Sequence, residues 1–329
     1  MRPARAKDSL DTVSVVICTK DRPDDLARAL SSIRVSEEAG RRIEIIVVEE
    51  ATNPREVPGV RYIHLPRSGR GFGYARNVGV RAACGDLLVF VDDDCEVEAG
   101  WMEALTAPFA QYPDLLGAAG AVLVRHCGPI GYAENVLGFP GGGLRYLHQA
   151  AGRVVPTRLL STCNCAYRRE AVLRARGFPE DARLGGEDSL LAERISALGR
   201  CVYVPHAVVY HRPRGRLGAI LRWFIRRGQS ERVLWRATTE RGGYACFWLR
   251  SSWTLRGLAL LVLLLFWPRL LLLLPPALIA YYGAMLWRFR FALTFPSHRR
   301  GWLLVPVVKL TMDLGTEIGR WRAILGRAD

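Results

Sequence analysis

Lysine is nearly missing from this 329-residue chain: Lys7, Lys20 and Lys309 are three of its 46 basic residues. Coding composition alone can produce such an arginine bias, so it carries no argument about function. None of the eight cysteines belongs to a Cys-x-x-Cys pair, and Cys163-x-Cys165 stands alone. They read as small buried hydrophobes or free thiols in a reducing compartment. Met1–Asp11 is polar and has no apolar h-region, so a signal peptide is not expected and the bulk of the chain is expected in the cytoplasm. The segment Gly69-Arg70-Gly71-Phe72-Gly73 lacks a following Gly-Lys-Ser/Thr and does not have dinucleotide-binding spacing, which removes both phosphate-loop readings of it. Half of the residues are hydrophobic, which excludes a disordered chain and a collagen-like fibre.

What is present is unevenly distributed. The formal charge is +15, yet Met1–His211 holds 26 basic and 26 acidic residues, while Arg212–Asp329 holds 20 basic and 5 acidic. The whole excess therefore lies in the last third, together with the longest apolar stretch, which points to a membrane rather than to nucleic acid. Gly257–Trp267 is apolar for 11 residues and Leu270–Trp287 for 18, interrupted by Pro268-Arg269. A membrane-spanning helix needs roughly 20 such residues, and Leu270–Trp287 approaches this if Pro275-Pro276 only kinks it. Arg250, Arg256, Arg288, Arg290, Arg299 and Arg300 flank the block, as at cytoplasmic membrane boundaries. A hairpin turning near Trp267-Pro268-Arg269 would keep both flanks on one side. A buried or interfacial helix pair inside a soluble fold is the alternative. Trp302–Leu325 is expected to form an amphipathic helix along the membrane surface.

The charge-balanced part alternates strands and helices. Val13–Cys18, Ile43–Val48, Val60–Leu65 and Leu87–Val91 are short apolar, β-branched runs, each followed by polar residues. Leu26, Leu30 and Ile33 repeat at helical spacing. This pattern predicts an α/β, mostly parallel sheet with its ligand at the carboxyl ends of the strands. Arg125–Pro156 is glycine-rich and aperiodic, and reads as a loop or lid. Glu187-Asp188 opens an amphipathic helix continued by Leu191, Ile195 and Leu198. Val202–Pro205 and Val208–His211 read as two short extended segments.

Asp92-Asp93-Asp94 directly after a buried strand is the sharpest local signal. Alternate residues of an extended segment share a face, so Asp92 and Asp94 can reach one cation. Oxygen ligands suit Mg2+ or Mn2+, which commonly bridge to substrate phosphates. An acidic pair such as Glu187-Asp188 ordinarily caps a helix, and a lone histidine such as His211 is ordinarily structural.

In combination, the segments resemble family 2 glycosyltransferases of GT-A fold, from Val13 to about Gln229. Val13–Arg22 is similar to that family's first strand and its Pro-Thr-x-Asn-Arg, with Cys18 for the proline and Asp21 for the asparagine. Ile45–Glu50 resembles the nucleoside-contacting strand, with Glu49-Glu50 where Asp-Asp is usual and Ala51-Thr52 for the following Gly-Ser-Thr. Ala75–Gly79, Gly85-Asp86 and Phe90–Asp94 match in order and spacing, and Cys163–Arg169, Gly177-Phe178 and Glu187-Asp188 fit the acceptor half.

The resemblance implies inverting, metal-dependent transfer of one sugar from a nucleotide-diphosphate sugar to an acceptor hydroxyl, on a glycan, a lipid-linked carrier or another acceptor. It implies Asp188 as catalytic base; Thr19, Asp21, Arg22, Glu49, Arg76, Asn77, Asp92 and Asp93 around the donor; Glu187 and Arg194 positioning the acceptor; and Asp92, Asp94 and His211 holding Mg2+ or Mn2+. The expected organisation is a tail over 1–11, a GT-A catalytic domain over 12–215, a basic helical linker over 216–250, a hydrophobic membrane-associated segment over 251–290 and an amphipathic helical tail over 291–329. Membrane lipids are expected partners and nucleic acid is not; the catalytic domain is expected to face the cytoplasm at the cell membrane. A processive polysaccharide synthase would carry Gln-x-x-Arg-Trp where this chain has Ala219-Ile220-Leu221-Arg222-Trp223, and would need more membrane segments. A nucleotidyltransferase would carry a glycine-rich basic loop where this chain has Thr19-Lys20-Asp21-Arg22.

Overall fold

The central strands are apolar without interruption because both of their faces are covered. In the computed structural model, which describes residues 12–36, 42–238 and 251–326, Val13, Val15 and Ile17 of β1 (Thr12–Thr19) join one core, while Val16 and Cys18 join the other. β2 (Arg42–Glu50) and β4 (Leu87–Val91) divide in the same way: Ile45, Val47, Leu87 and Val89 go to the first core, and Ile46, Val48, Leu88 and Phe90 to the second. A strand's period of two sends successive side chains to opposite layers, so a sheet buried on both sides reads as continuous Val, Ile and Leu. Leu26, Leu30 and Ile33 of α1 (Pro23–Ser36) and Trp101, Leu105 and Phe109 of α3 (Trp101–Gln111) fill the first layer. Ala75 and Val80 of α2 (Phe72–Ala82), with Leu191 and Ile195 of α7 (Glu187–Leu198), fill the second.

The remaining strands are β3 (Arg61–Leu65), β5 (Cys95–Val97), β6 (Leu115–Leu123), β7 (Val155–Pro156), β8 (Asn164–Arg168), which runs into α6 (Arg169–Arg174), and β9 (Arg200–His211). They assemble in the order β3-β2-β1-β4-β8-β6-β9-β5, with β7 also pairing β9. The first four strands are parallel, as the sequence predicts. β8 is antiparallel to β4 and β6, β6 and β9 are parallel, and β5 and β7 run antiparallel to β9, so the second half is mixed.

Two readings of the sequence change. The expected loop over Arg125–Pro156 contains α4 (Pro129–Val136), α5 (Gly143–Ala150) and β7. Each of these helices has only eight residues, about two turns, too few for a period to emerge among the surrounding glycines. The two short segments near residue 205 are one strand, β9, interrupted where the register passes from Gly120↔Val204 to Ala121↔Val208. Pro205, His206 and Ala207 are the excess, and the carbonyls freed there need donors. Asn164 supplies them: its Nδ2 donates to the carbonyls of Ala121 (2.9 Å) and Ala207 (2.8 Å), while its Oδ1 accepts from Trp101 Nε1 at 2.8 Å.

The chain divides into two compact units: Met1–Leu123, Pro140–Arg183 and Glu187–Arg212 form the first, and Val124–Phe139, Leu184–Gly186 and Pro213–Asp329 the second. In the second unit α8 (Leu217–Thr238) precedes α9 (Trp253–Phe266), a 3-10 turn over Pro268–Leu273, α10 (Leu274–Arg288), α11 (Arg299–Trp302) and α12 (Val305–Ile324). No residue of α9 or α10 is buried, so they are not the core pair of a soluble fold. Pro268–Arg288, 21 residues with mean hydropathy 1.7 over its most apolar 18, is long and apolar enough to cross a membrane.

α12 lies within the helix expected over Trp302–Leu325. One side packs closely on α8: a Cβ on Gly228 would stand 2.2 Å from the Thr316 carbonyl oxygen, and one on Gly319 2.1 Å from that of Ile225. Glycine is required where two helix backbones approach this closely. Val307, Leu310 and Leu314 remain exposed on α12. The tail over 1–11, Arg250, Cys246 and the end of the linker from 239 onward lie outside the described residues.

Asn164→Ala should cost about 2–4 kcal/mol, since it leaves a buried indole N–H and two carbonyls without partners. Urea unfolding of the variant measures this, and a cost below about 1 kcal/mol would contradict the role given to Asn164.

Candidate active site

Parallel pairing of β1 with β4 brings Thr19 and the Asp92-Asp93-Asp94 turn to the same edge of the sheet. Backbone bonds fix the turn: Cys95 N donates to the Asp92 carbonyl at 3.1 Å, and Arg212 N donates to that of Asp94 at 2.9 Å. Asp93 points into the protein and accepts a 2.7 Å bond from Thr19 Oγ1. Burial pushes its carboxyl up to about 6, against the Thr19 hydrogen bond and the Arg22 charge, which favour the ionised form. Arg22 Nη1 lies 3.0 Å from Asp94 Oδ2 and 3.4 Å from Asp93 Oδ1.

Asp92 faces the other partners. Arg76 of α2 is buried; its Nη2 donates to Asp92 Oδ1 at 3.1 Å and its Nη1 to Glu187. Burial opposes the Arg76 charge, but the carboxylates of Glu187 and Asp92 outweigh it and hold the guanidinium protonated. Burial likewise raises Glu187, and Arg76 opposes that rise. Cys163 Sγ donates to Asp92 Oδ2 at 3.0 Å. The β4–β8 register explains this contact: Val91 pairs with Asn164, so the next residues outward, Asp92 and Cys163, meet.

His211, the last residue of β9, places Nε2 3.2 Å from Asp94 Oδ1, and its buried Nδ1 has no hydrogen-bond partner among the described residues. One donor atom each from Asp92, Asp94 and His211 lies within 4.8 Å of the others. Two carboxylates and one imidazole, converging with a ring nitrogen unpaired, fit a hard divalent cation.

Asp188 occupies the first turn of α7, half-buried, with Oδ1 accepting from Ser189 N at 2.7 Å. Gly185 and Gly186 turn the chain into that helix at φ 115° and 95°, conformations that L side chains rarely adopt. Asp188 adds to the field that stabilises the Arg76 cation. Arg194 is not brought to this cluster. It is exposed on α7, about 10 Å of helix rise beyond Glu187, and makes no hydrogen bond or ion pair among the described residues.

Three residues expected around a donor are engaged within the protein. Asp21 is exposed, at φ 54°, and accepts from Arg67 Nη2 at 2.7 Å. The buried Glu49 carboxylate accepts from Arg55 Nε (2.6 Å), Arg55 Nη2 (3.0 Å) and Tyr62 Oη (2.8 Å). Asn77 has its amide consumed: Nδ2 donates to the Phe178 carbonyl (2.8 Å) and Glu180 Oε1 (3.0 Å), and Oδ1 accepts from Phe178 N (2.8 Å). Asn77 thus fastens α2 to the Gly177–Glu180 turn, and Asn164 of the expected acceptor half fastens β8 to its neighbours. Arg55 and Tyr62 enter the site without having been singled out for it, and Cys163, expected in the acceptor half, meets the aspartate turn instead. The only signal for Tyr62 was its place on β3, two residues from His64, which pairs with Glu49.

Residues 14–174 match the family model described as glycosyl transferase family 2. The succinoglycan biosynthesis protein ExoO of Rhizobium meliloti (strain 1021) is 28% identical over 245 residues, 66% of this chain and 65% of that protein, so the match spans just under two thirds of that relative. ExoM, a succinoglycan biosynthesis protein of the same organism, is 29% identical over 262 residues, 74% of this chain and 79% of that protein. The mannosyltransferase PcManGT from Pyrobaculum calidifontis, solved with GDP-Man and Mn2+, superposes with a TM-score of 0.57 at 21% identity, covering 90% of this chain and 86% of that one, a likeness of fold. Motif order and the family match coincide over residues 14–174, where the chain is similar to the family 2 glycosyltransferases, and its sheet has the GT-A fold.

Proposed function

We propose that this glycosyltransferase moves a single sugar from a nucleotide-diphosphate sugar to an acceptor hydroxyl, with inversion, at the cytoplasmic face of a membrane. The observation that carries this reading is the convergence of Asp92, Asp94 and His211 at the carboxyl edge of the sheet, joined through Arg76 to the first turn of α7. Asp92, Asp94 and His211 would hold Mg2+ or Mn2+. When bound, such an ion neutralises charge developing on a departing nucleoside diphosphate. PcManGT, which carries GDP-Man and Mn2+, supports both the donor class and a divalent ion.

Direct displacement at the anomeric carbon needs one base to take the acceptor's proton. Asp188 suits this: Ser189 occupies Oδ1, while Oδ2 has no protein partner among the described residues and can accept a proton from an incoming hydroxyl. Arg76 fixes the spacing between the two halves, with Asp92 on one arm and Glu187, the neighbour of the base, on the other. Thr19 and Arg22 orient Asp93 and Asp94. ExoO and ExoM act in succinoglycan biosynthesis by name, which favours a cell-envelope or lipid-linked glycan as acceptor. The unburied Pro268–Arg288 segment and its arginine flanks favour a membrane-apposed enzyme.

Asp188→Asn should lower transfer by about 10²–10⁴-fold, the usual contribution of a general base, while donor affinity in calorimetry stays near wild type. Transfer at wild-type rate by the folded variant removes Asp188 from the mechanism. Asp94→Ala should abolish the Mn2+ dependence of nucleotide-sugar binding across a screen of UDP-, GDP- and dTDP-sugars. Metal-dependent affinity that survives this change would refute the proposed ion site. A product anomer with the donor's configuration, read by NMR, would overturn inversion.

A further inference from the structure

The turn that carries the three aspartates also assembles a second, chemically different set of donors. β5 pairs with β9 so that Cys95 stands opposite His211, and the β4–β8 register sets Cys163 beside Asp92. One donor atom each from Cys95, Cys163 and His211 lies within 4.8 Å of the others, and all three residues are buried. We propose that Cys95, Cys163 and His211 form a site for a thiophilic divalent ion such as Zn2+, and that filling it withdraws His211 from Asp92 and Asp94 and so inhibits the enzyme.

The donor types carry the first half. Two sulfurs and an imidazole are a zinc-type ligand set, poorly suited to Mg2+ or Mn2+. A fourth donor is at hand, because Asp92 Oδ2 lies 3.0 Å from Cys163 Sγ. The buried His211 Nδ1 has no hydrogen-bond partner among the described residues, so that ring nitrogen is left unused. On binding, each sulfur exchanges its proton for a metal–sulfur bond, two protons leave to solvent, and no atom changes oxidation state. The Cys163 hydrogen bond to Asp92 is lost in the exchange.

The imidazole's electron count carries the second half. A neutral imidazole has one lone pair for a metal, its other nitrogen being protonated, so His211 serves one ion at a time. Two dications sharing these few ångströms would also repel each other strongly. Zn2+ stands above Mn2+ in the usual affinity order for such ligands, so it can take the histidine at concentrations well below those of Mn2+. This inhibitory half rests on the proposed role of Asp92, Asp94 and His211; the binding half does not.

The test uses the full chain, purified in detergent and stripped of metal, with Co2+ and Zn2+ alone as probes. One equivalent of Co2+ should give the near-ultraviolet thiolate-to-cobalt charge-transfer band, and Zn2+ should bleach it. Cys95→Ala and Cys95→Val, the latter close to cysteine in volume, should both lack the band while keeping the wild-type circular dichroism. Absence of the band in wild type, or equal intensity in a folded Cys95 variant, overturns the site. In Mn2+-supported donor hydrolysis, Zn2+ should inhibit wild type, excess Mn2+ should relieve it, and Cys95→Val should need at least about ten times more Zn2+. Equal sensitivity of the two proteins would overturn the sharing of His211, whereas a chain that hydrolyses no donor would fail the transferase reading and leave the cobalt result to decide the site.

Discussion

A single buried arginine makes the acidic edge of this sheet tolerable. Asp92, Asp93, Asp94 and Glu187 gather at one edge, Asp93 and Glu187 buried and the other two partly so, and their like charges repel. Arg76 reaches Asp92 with one arm and Glu187 with the other from inside the protein, while Arg22 meets Asp93 and Asp94 from its solvent side. The two arginines are not equivalent. Arg76 is almost fully buried, so removing it would strand the buried Glu187 carboxylate, at a cost of about 3–5 kcal/mol. Arg22 is half exposed, and water can replace most of what it contributes.

That pairing depends on topology. β1 and β4 are parallel neighbours, so Thr19 and Asp93 emerge at one edge; β8 and β9 reach the same edge, one by its first residues and the other by its last. Residues 70 to 190 positions apart in sequence thus meet through strand register alone. The site stands on strand ends and first helical turns, where the backbone is held by ladder and helix hydrogen bonds. The same economy explains why cysteines enter an oxygen-rich site: the residues beside Asp92 and opposite His211 are Cys163 and Cys95, and they pack inward as small hydrophobes.

How much of this was legible varies with the length of the signal. β1, β2 and β4 could be read from unbroken β-branched runs, and the acidic turn from its place after one of them. β5, with three residues, is too short for any period. α4 and α5 were hidden by glycines between two-turn helices. α12 shows a subtler loss: Gly315 and Gly319 lower helix propensity on paper, yet these are the residues that let α8 approach, so its packing on α8 was not legible. Glu49 and Asn77 matched a motif by position, but position does not reveal that Arg55, Tyr62 and the Gly177–Glu180 turn occupy their hydrogen bonds. Resemblance locates a site well and assigns labour within it less well.

Length decides how the proposed membrane contact can be made. α9 has 14 residues and rises about 21 Å, short of a hydrocarbon core of about 30 Å. Pro268–Arg288 is long enough: its six 3-10 residues rise about 12 Å and Leu274–Arg288 about 22 Å more. α9 alone does not cross, and Trp267-Pro268-Arg269 joins the two segments. Leu265, Phe266, Leu272 and Ile279 are each more than seven-tenths exposed, an apolar surface that water would cover at about 25 cal/mol per Å². At the outer ends, Arg256 lies 5.5 Å from the Trp253 ring and Arg290 4.1 Å from that of Trp287, amphipathic pairs suited to a headgroup layer. The proposed hairpin, entering the bilayer and returning, would bury these leucines, leave both tryptophan–arginine pairs at one interface and keep the basic flanks on one side.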